Sequence, residues 1–390
     1  VYKTANYKYL LLLTIFAVTN KAIATDFCVY NNIGLQIALD TASSNNQSDH
    51  IRIKKGNYIY PVSGQSFAYI AATGEQHNLT ISGGWVGGTL TTCSFQDREI
   101  YSTTIDGNNQ VRGLLIEPDA GSNARIEITD LNFTNGYVTG NHRGGGLYID
   151  TDSDSLIDVL IERNTFVSNF ASYGAAFSQN EGFHENGYRT VFKNNLVVNN
   201  HSEFGAAVSI SNRNQRGIYL INNTIMDNTT DQTQSYASAG VYLYVSEFSE
   251  AFIANNILWN NQINDLWFIG YTHSKHNSIG SQSSSSTADI DVGNISAAPD
   301  FLPYGNAYVP RHNSALHNSG HHLGGFVHVP PWFEEDWNHG DYDVTGRNTR
   351  INEGSVDIGA FETPPDYPIF VNGFECEFES RGGFDCDDDQ

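Results

Sequence analysis

The chain has 390 residues, with 20 Lys and Arg against 43 Asp and Glu, a formal charge of −23 and only 16% charged residues. So acidic a chain has no basic stripe to neutralise phosphates, which excludes nucleic acid and anionic lipid headgroups as partners. With 22 Phe, 21 Tyr and 36 Gly, and with Asn, Ser and Thr abundant, the composition supports a core and favours strands and turns over charged surface helices, so an all-β fold is expected.

At the start, Lys3 and Lys8 precede the apolar run Leu10–Val18 and the small-residue end Ala22-Ile23-Ala24. A basic start, a short apolar core and small residues predict a signal peptide over residues 1–24, because the apolar run is too short to span a bilayer. No later segment reaches a transmembrane length, and the expected location is secreted or on a bacterial cell surface. Export permits disulfides. The four cysteines fall into an early pair, Cys28 and Cys93, and a late pair, Cys376 and Cys386; local pairing at each end is the simplest of three connectivities. None has zinc-ligand spacing.

From residue 128 the sequence repeats. Ile161–Phe166, Phe192–Val197, Leu220–Ile225 and Ile253–Leu258 align without gaps, placing Asn164, Asn195, Asn223 and Asn256 at equivalent positions. A degenerate copy, Ile128–Phe133, carries Leu131 there. A second motif keeps the same beat, two small residues and an apolar one: Gly145-Gly146-Leu147, Ala175-Ala176-Phe177, Ala206-Ala207-Val208 and Ala239-Gly240-Val241. Each repeat holds about three short strand-like runs with no helical period, which predicts a coil of three strands per turn, stacked about 4.8 Å apart. The Asn series is then an internal ladder that satisfies inward-facing polar groups.

These features resemble a right-handed parallel β-helix of the pectin-lyase-like superfamily, in particular bacterial surface and secreted members. Leu35–Asp40 and Ile51–Tyr58 are similar to the capping helix, first strand and Gly-x-Tyr turn of such proteins. Ile81–Trp85, Cys93 and Thr104–Gly107 resemble early polymorphic outer-membrane repeats. Asp343–Arg347, Arg350, Gly354 and Val356–Glu362 resemble the closing motif of the choice-of-anchor Q domain. The resemblance implies one β-helix domain over residues 25–362, closed by 343–362, in which Asp343, Arg347 and Asp357 form a fold-closing network. Residues 271–340 break the rhythm and predict distorted last turns with long loops, where Trp332 and Trp337 would cover the open end of the coil. Residues 363–390 form an acidic tail with a possible sorting or anchoring role; Asp385 and its neighbours lack the Gly and Glu of an EF-hand and read as a solvated end.

In a β-helix, chemistry sits in turns that stack into walls. One wall follows the small-residue motif: Asp150, Asp152 and Asp154; Glu181, His184 and Glu185; Arg213 and Arg216, with Asn212, Asn214, Glu247 and Glu250 beside them. It suits binding, with carboxylates able to hold Ca2+ and Arg to bind a uronate; the alternative is a solvated polar wall. The other follows the Asn ladder: His142, Arg143, Tyr173, His201 and Glu203, with Asp231 and Tyr236. Its residue types suit proton abstraction beside a carboxylate. The run signatures of pectate lyases and polygalacturonases are missing, as are a Gly-x-Ser-x-Gly elbow and a His-Glu-x-x-His zinc motif. The expected function is non-catalytic binding of glycans or surfaces by a monomer, with Ca2+ as the one candidate cofactor; the alternative is a polysaccharide lyase or glycosidase acting on an extracellular polysaccharide.

Overall fold

The structure is a computed structural model that describes residues 25–386 except 152–156, 181–188, 213–216, 236, 247–248, 286–289, 303–307, 322–339, 352–353, 365–368, 372–373 and 380–382, with side chains described to residue 364 apart from residue 290. Three long parallel sheets carry the chain, each contributing one strand to every coil. One coil illustrates the circuit: Asp158–Glu162 in the first sheet, Thr165–Val167 in the second, and Phe177–Asn180 in the third. The next coil repeats it with Thr190–Lys193, Leu196–Val198 and Val208–Asn212. Ile128, Ile161, Phe192, Leu220 and Ile253 lie in one register across successive first-sheet strands, so equivalent side chains stack inside the coil. This is a parallel β-helix, as the repeat predicts.

Two sharp corners make the coil close. At the first, a residue with positive φ precedes each ladder position: Arg163 before Asn164, Asn194 before Asn195, Asn222 before Asn223, Asn255 before Asn256. Asn tolerates the left-handed conformation better than most residues, which accounts for the Asn-Asn pairs in the sequence. The ladder amide then secures the corner. Each Asn Oδ1 accepts the backbone N–H of the equivalent residue in the preceding coil, as Asn164 does for Leu131 (3.1 Å), Asn195 for Asn164 (2.9 Å) and Asn223 for Asn195 (2.9 Å). Two further rungs, Asn277 and Asn294, continue the series, so the coil runs on into residues where the sequence reads as irregular.

The second corner uses the same device with Asn169, Asn200, Asn228 and Asn261, each preceded by a positive-φ residue. This ladder ends on a buried carboxylate. Asp265 Oδ1 accepts both the Asn261 backbone N–H (2.7 Å) and its side-chain amide (2.8 Å), and Oδ2 accepts the Ser281 N–H (2.8 Å) and hydroxyl (3.0 Å). Burial pushes its carboxyl up, against the pull of these donors.

The amino-terminal opening is covered by helix α1 (Asn32–Ala42), capped by Asn31, whose side chain accepts the Gly34 N–H (2.8 Å), and burying Leu35, Ala38, Leu39 and Ala42. The Cys28–Cys93 disulfide ties the first strand to the Trp85–Gln96 hairpin. At the other end, Cys376 and Cys386 face each other in the register of a three-stranded antiparallel tail sheet.

Residues 340–351 and 354–363 lie along the side of the coil, where Val344, Ile358, Ala360 and Phe361, with Leu316, pack on the outward residues Leu196, Val198, Met226 and Ile257 of the second sheet. The Ala360 N–H donates to Thr224 Oγ1 (2.9 Å) and the Gly359 N–H to the Asn255 carbonyl (2.8 Å). Asp343 and Asp357 sit inside this strap, accepting from Asn348 and from Thr363. Its cation is Arg350, fully buried, 3.0 Å from Glu362 and donating from Nε to the Asn222 amide oxygen (2.7 Å) once that amide is oriented by its partners. Arg347 lies outside the network, paired with Asp97 (3.5 Å) at the surface. Trp332 and Trp337 lie outside the described residues.

Candidate functional site

Strand alternation sends every second residue of the third sheet outward. The register therefore aligns Tyr148, Ser178, Ser209, Tyr242 and Trp267 in one outward row, one per coil. Aromatic rings stand at both ends and two serines between them. Tyr242 and Trp267 lie 4.9 Å apart with tilted rings. Burial, with the nearby Asp150 carboxylate adding to it, pushes the Tyr148 hydroxyl up. The Ser178 hydroxyl is buried in this row without a hydrogen-bond partner among the described residues.

The wall beside this row comes from the chain between the second corner and the third sheet. Arg143, Tyr173 and Phe204 stand in successive coils, the Arg143 guanidinium 5.0 Å over the Tyr173 ring and Tyr173 5.6 Å from Phe204. Gly205, Ala206 and Ala237 keep the base of the wall low. Wall and row enclose a groove of about 390 Å³ that also takes in Asn180, Ser211, Gln232 and Tyr244. Its described lining consists of rings, hydroxyls, amides and one guanidinium, without a carboxylate or imidazole.

Of the residues singled out from the sequence, Arg143 and Tyr173 meet in this groove. Tyr236 of that wall lies outside the described residues, and His142, His201, Glu203 and Asp231 do not line the groove. His142 lines a neighbouring depression. His201 stacks on Phe170 (5.4 Å), bonds Thr229 Oγ1 (2.8 Å) and pairs with Asp231 (3.3 Å). The Glu203 carboxylate accepts the Ser172 hydroxyl (2.5 Å). On the other wall, Asp150 ends its strand opposite Asn180, whereas Glu250 opens a first-sheet strand and pairs with His273 (3.3 Å), which holds its carboxyl low. Asp152, Asp154, Glu181, His184, Glu185, Arg213 and Arg216 lie outside the described residues. Among the described residues no group of three His, Cys, Asp or Glu side chains is placed to hold a metal.

Sequence reasoning missed Tyr242, Trp267 and Phe204. The signal for the row was present: the residue after each small-small-apolar motif is Tyr148, Ser178, Ser209 and Tyr242. Compared with family profiles, with curated proteins and with solved structures, the chain matches none of them.

Proposed function

We propose that this protein is an exported β-helix that binds glycans, without turning them over, in the groove on the outer face of its third sheet. The observation that carries the reading is the Tyr242–Trp267 pair facing the Arg143–Tyr173–Phe204 wall across a floor of Ser209, Ser211 and Asn180. Ring faces take the apolar faces of sugars, and the hydroxyls and amides between them take sugar hydroxyls. A solenoid presents these groups once per coil, so the groove is an extended, regularly spaced surface suited to a polymer. The leader-like residues 1–24 support export, and the pectin-lyase-like and choice-of-anchor Q resemblances support a bacterial surface or secreted setting, with the acidic tail as an anchoring segment.

The test is retention of the mature protein by a panel of plant, algal and bacterial polysaccharides. Trp267→Ala and Tyr173→Ala should each weaken retention by the best binder about tenfold or more, in keeping with the loss of a buried aromatic contact, with an unchanged unfolding midpoint. Equal retention by both variants overturns the proposal. A second reading, polysaccharide cleavage, rests on Arg143 and Tyr173 meeting in the groove, a cation and a phenol of the kinds that proton abstraction uses. Unsaturated-uronate absorbance or new reducing ends, with or without Ca2+, would favour it.

A further inference from the structure

Next to the groove lies a second depression, of about 340 Å³, lined by Arg112, His142, Gln110, Ser66, Tyr137 and backbone around them. Arg112 sits one coil before Arg143. Its Nε and Nη2 donate to the Arg143 carbonyl (3.2 and 2.8 Å), Nε also to the Gly144 carbonyl (2.9 Å), and its guanidinium lies 5.1 Å over the Tyr148 ring. These contacts fix the fork and leave Nη1 uncommitted. Glu117 and Asp150 act on it only at longer range, and no carboxylate among the described residues pairs with it. That is unusual in a chain with 43 acids to 20 bases. Among the described residues Arg143, in the neighbouring groove, likewise has no carboxylate partner, whereas Arg52 pairs with Asp26, Arg163 with Asp130, Arg189 with Asp158, Arg311 with Asp300 and Arg350 with Glu362. The lining of the depression holds a guanidinium, an imidazole, an amide and hydroxyls, again without a carboxylate.

A half-buried guanidinium carrying no counter-charge, held rigid at the edge of a depression, is completed by an anion. We infer that the depression beside Arg112 is an oxyanion-binding site, taking a sulfate, phosphate or carboxylate group, and that it is separate from the groove. Arg112 supplies its remaining Nη donors in a fixed orientation, and His142, Gln110 and Ser66 supply further donors at the rim. The inference does not depend on glycan binding in the groove, because a different set of residues carries it.

The experiment is affinity electrophoresis of the mature protein at low ionic strength through gels containing neutral dextran, dextran sulfate, phosphorylated dextran or carboxymethyl-dextran. One backbone with three oxyanions identifies which group is preferred. At least one charged polymer should retard the protein tenfold more strongly than neutral dextran, and added salt should abolish the difference. Gln110→Glu, which places a carboxylate on the exposed rim beside Arg112, should remove the retardation without touching the fold; Arg112→Gln should do the same, with its unfolding midpoint recorded because Arg112 also ties down two carbonyls. Retardation no greater than in neutral dextran, or retardation undiminished in Gln110→Glu, overturns the site. If Trp267→Ala abolishes anion binding as well, the anion sits in the groove and the claim of a separate site fails. If Trp267→Ala spares it while losing neutral glycans, the two readings stand independently.

Discussion

Removing one rung of the first Asn ladder should cost far more than an ordinary polar substitution. Asn195 accepts the Asn164 N–H at 2.9 Å through Oδ1, while its Nδ2 donates to the Ile161 carbonyl (2.9 Å) and to Asn223 Oδ1 (3.1 Å), all of it buried. Asn195→Ala keeps the backbone bond to Asn223 but leaves the Asn164 N–H without an acceptor and the Ile161 carbonyl without this donor. An orphaned buried donor costs about 1–3 kcal/mol and a lost neutral bond about 1 kcal/mol. Adding roughly 1 kcal/mol for the vacated space, the expected loss is about 3–5 kcal/mol. Asn195→Asp should be no better at neutral pH, because it keeps the acceptor yet turns an ionised oxygen toward the Ile161 carbonyl and Asn223 Oδ1. The degenerate rung is the natural control. Leu131 carries no amide to offer the preceding coil, while its own N–H donates to Asn164 Oδ1 (3.1 Å) as the Asn164 N–H does to Asn195. Urea unfolding followed by circular dichroism, with hydrogen exchange at the Asn164 amide, measures the effect. A loss below about 1 kcal/mol for Asn195→Ala, with Asn164 exchange unchanged, would refute the reasoning.

Three further outcomes follow from the same contacts. Replacing Cys28 and Cys93 by Ala opens a loop of 65 residues, which on the chain-entropy relation should cost about 4 kcal/mol; thermal unfolding of the double variant reads it, and a shift of no more than a degree or two would contradict it. Asp265→Asn puts an amide where four donors converge and should lower stability by about 1–3 kcal/mol, whereas an unchanged urea midpoint would remove the carboxylate's role as ladder terminus. Burial pushes the Glu362 carboxyl up to about 8 from an ordinary 4.5, with Arg350 pulling the other way. The folded chain therefore keeps this proton to higher pH than the unfolded chain, so its contribution is full below about 4.5 and is lost as pH rises through 8. Glu362→Gln should flatten the stability profile between those limits, and a wild-type slope in the variant would refute the assignment.

Much of the coil was legible because its corners impose residue types at a fixed period. A left-handed residue followed by a buried Asn leaves a mark at every turn, and Asn164, Asn195, Asn223 and Asn256 carry it. Asn169, Asn200, Asn228 and Asn261 carry the same mark five residues later, a second ladder equally legible in the sequence. The strap was harder to foresee. Its contacts join residues as distant as Ala360 and Thr224, and nothing local in Val356–Glu362 tells which sheet of the coil it packs on. For the groove, Arg143 and Tyr173 were found as turn residues, but Tyr242 and Trp267 sit on strands, where the sequence pattern drew attention to inward residues rather than to the outward row. His201 and Glu203 have suitable chemistry and are committed to Thr229, Asp231 and Ser172, which spacing cannot reveal.

The central claim, that the groove holds a glycan and does not cleave it, is tested most directly by one paired measurement on the purified protein. Retention by each member of a polysaccharide panel is recorded for wild type and Trp267→Ala, and the same mixtures are assayed for unsaturated-uronate absorbance and reducing ends. Retention by wild type that falls at least about tenfold in the variant, with no product from either, is the predicted result. Retention that survives the loss of Trp267, or product that accumulates with the wild-type protein, would contradict it.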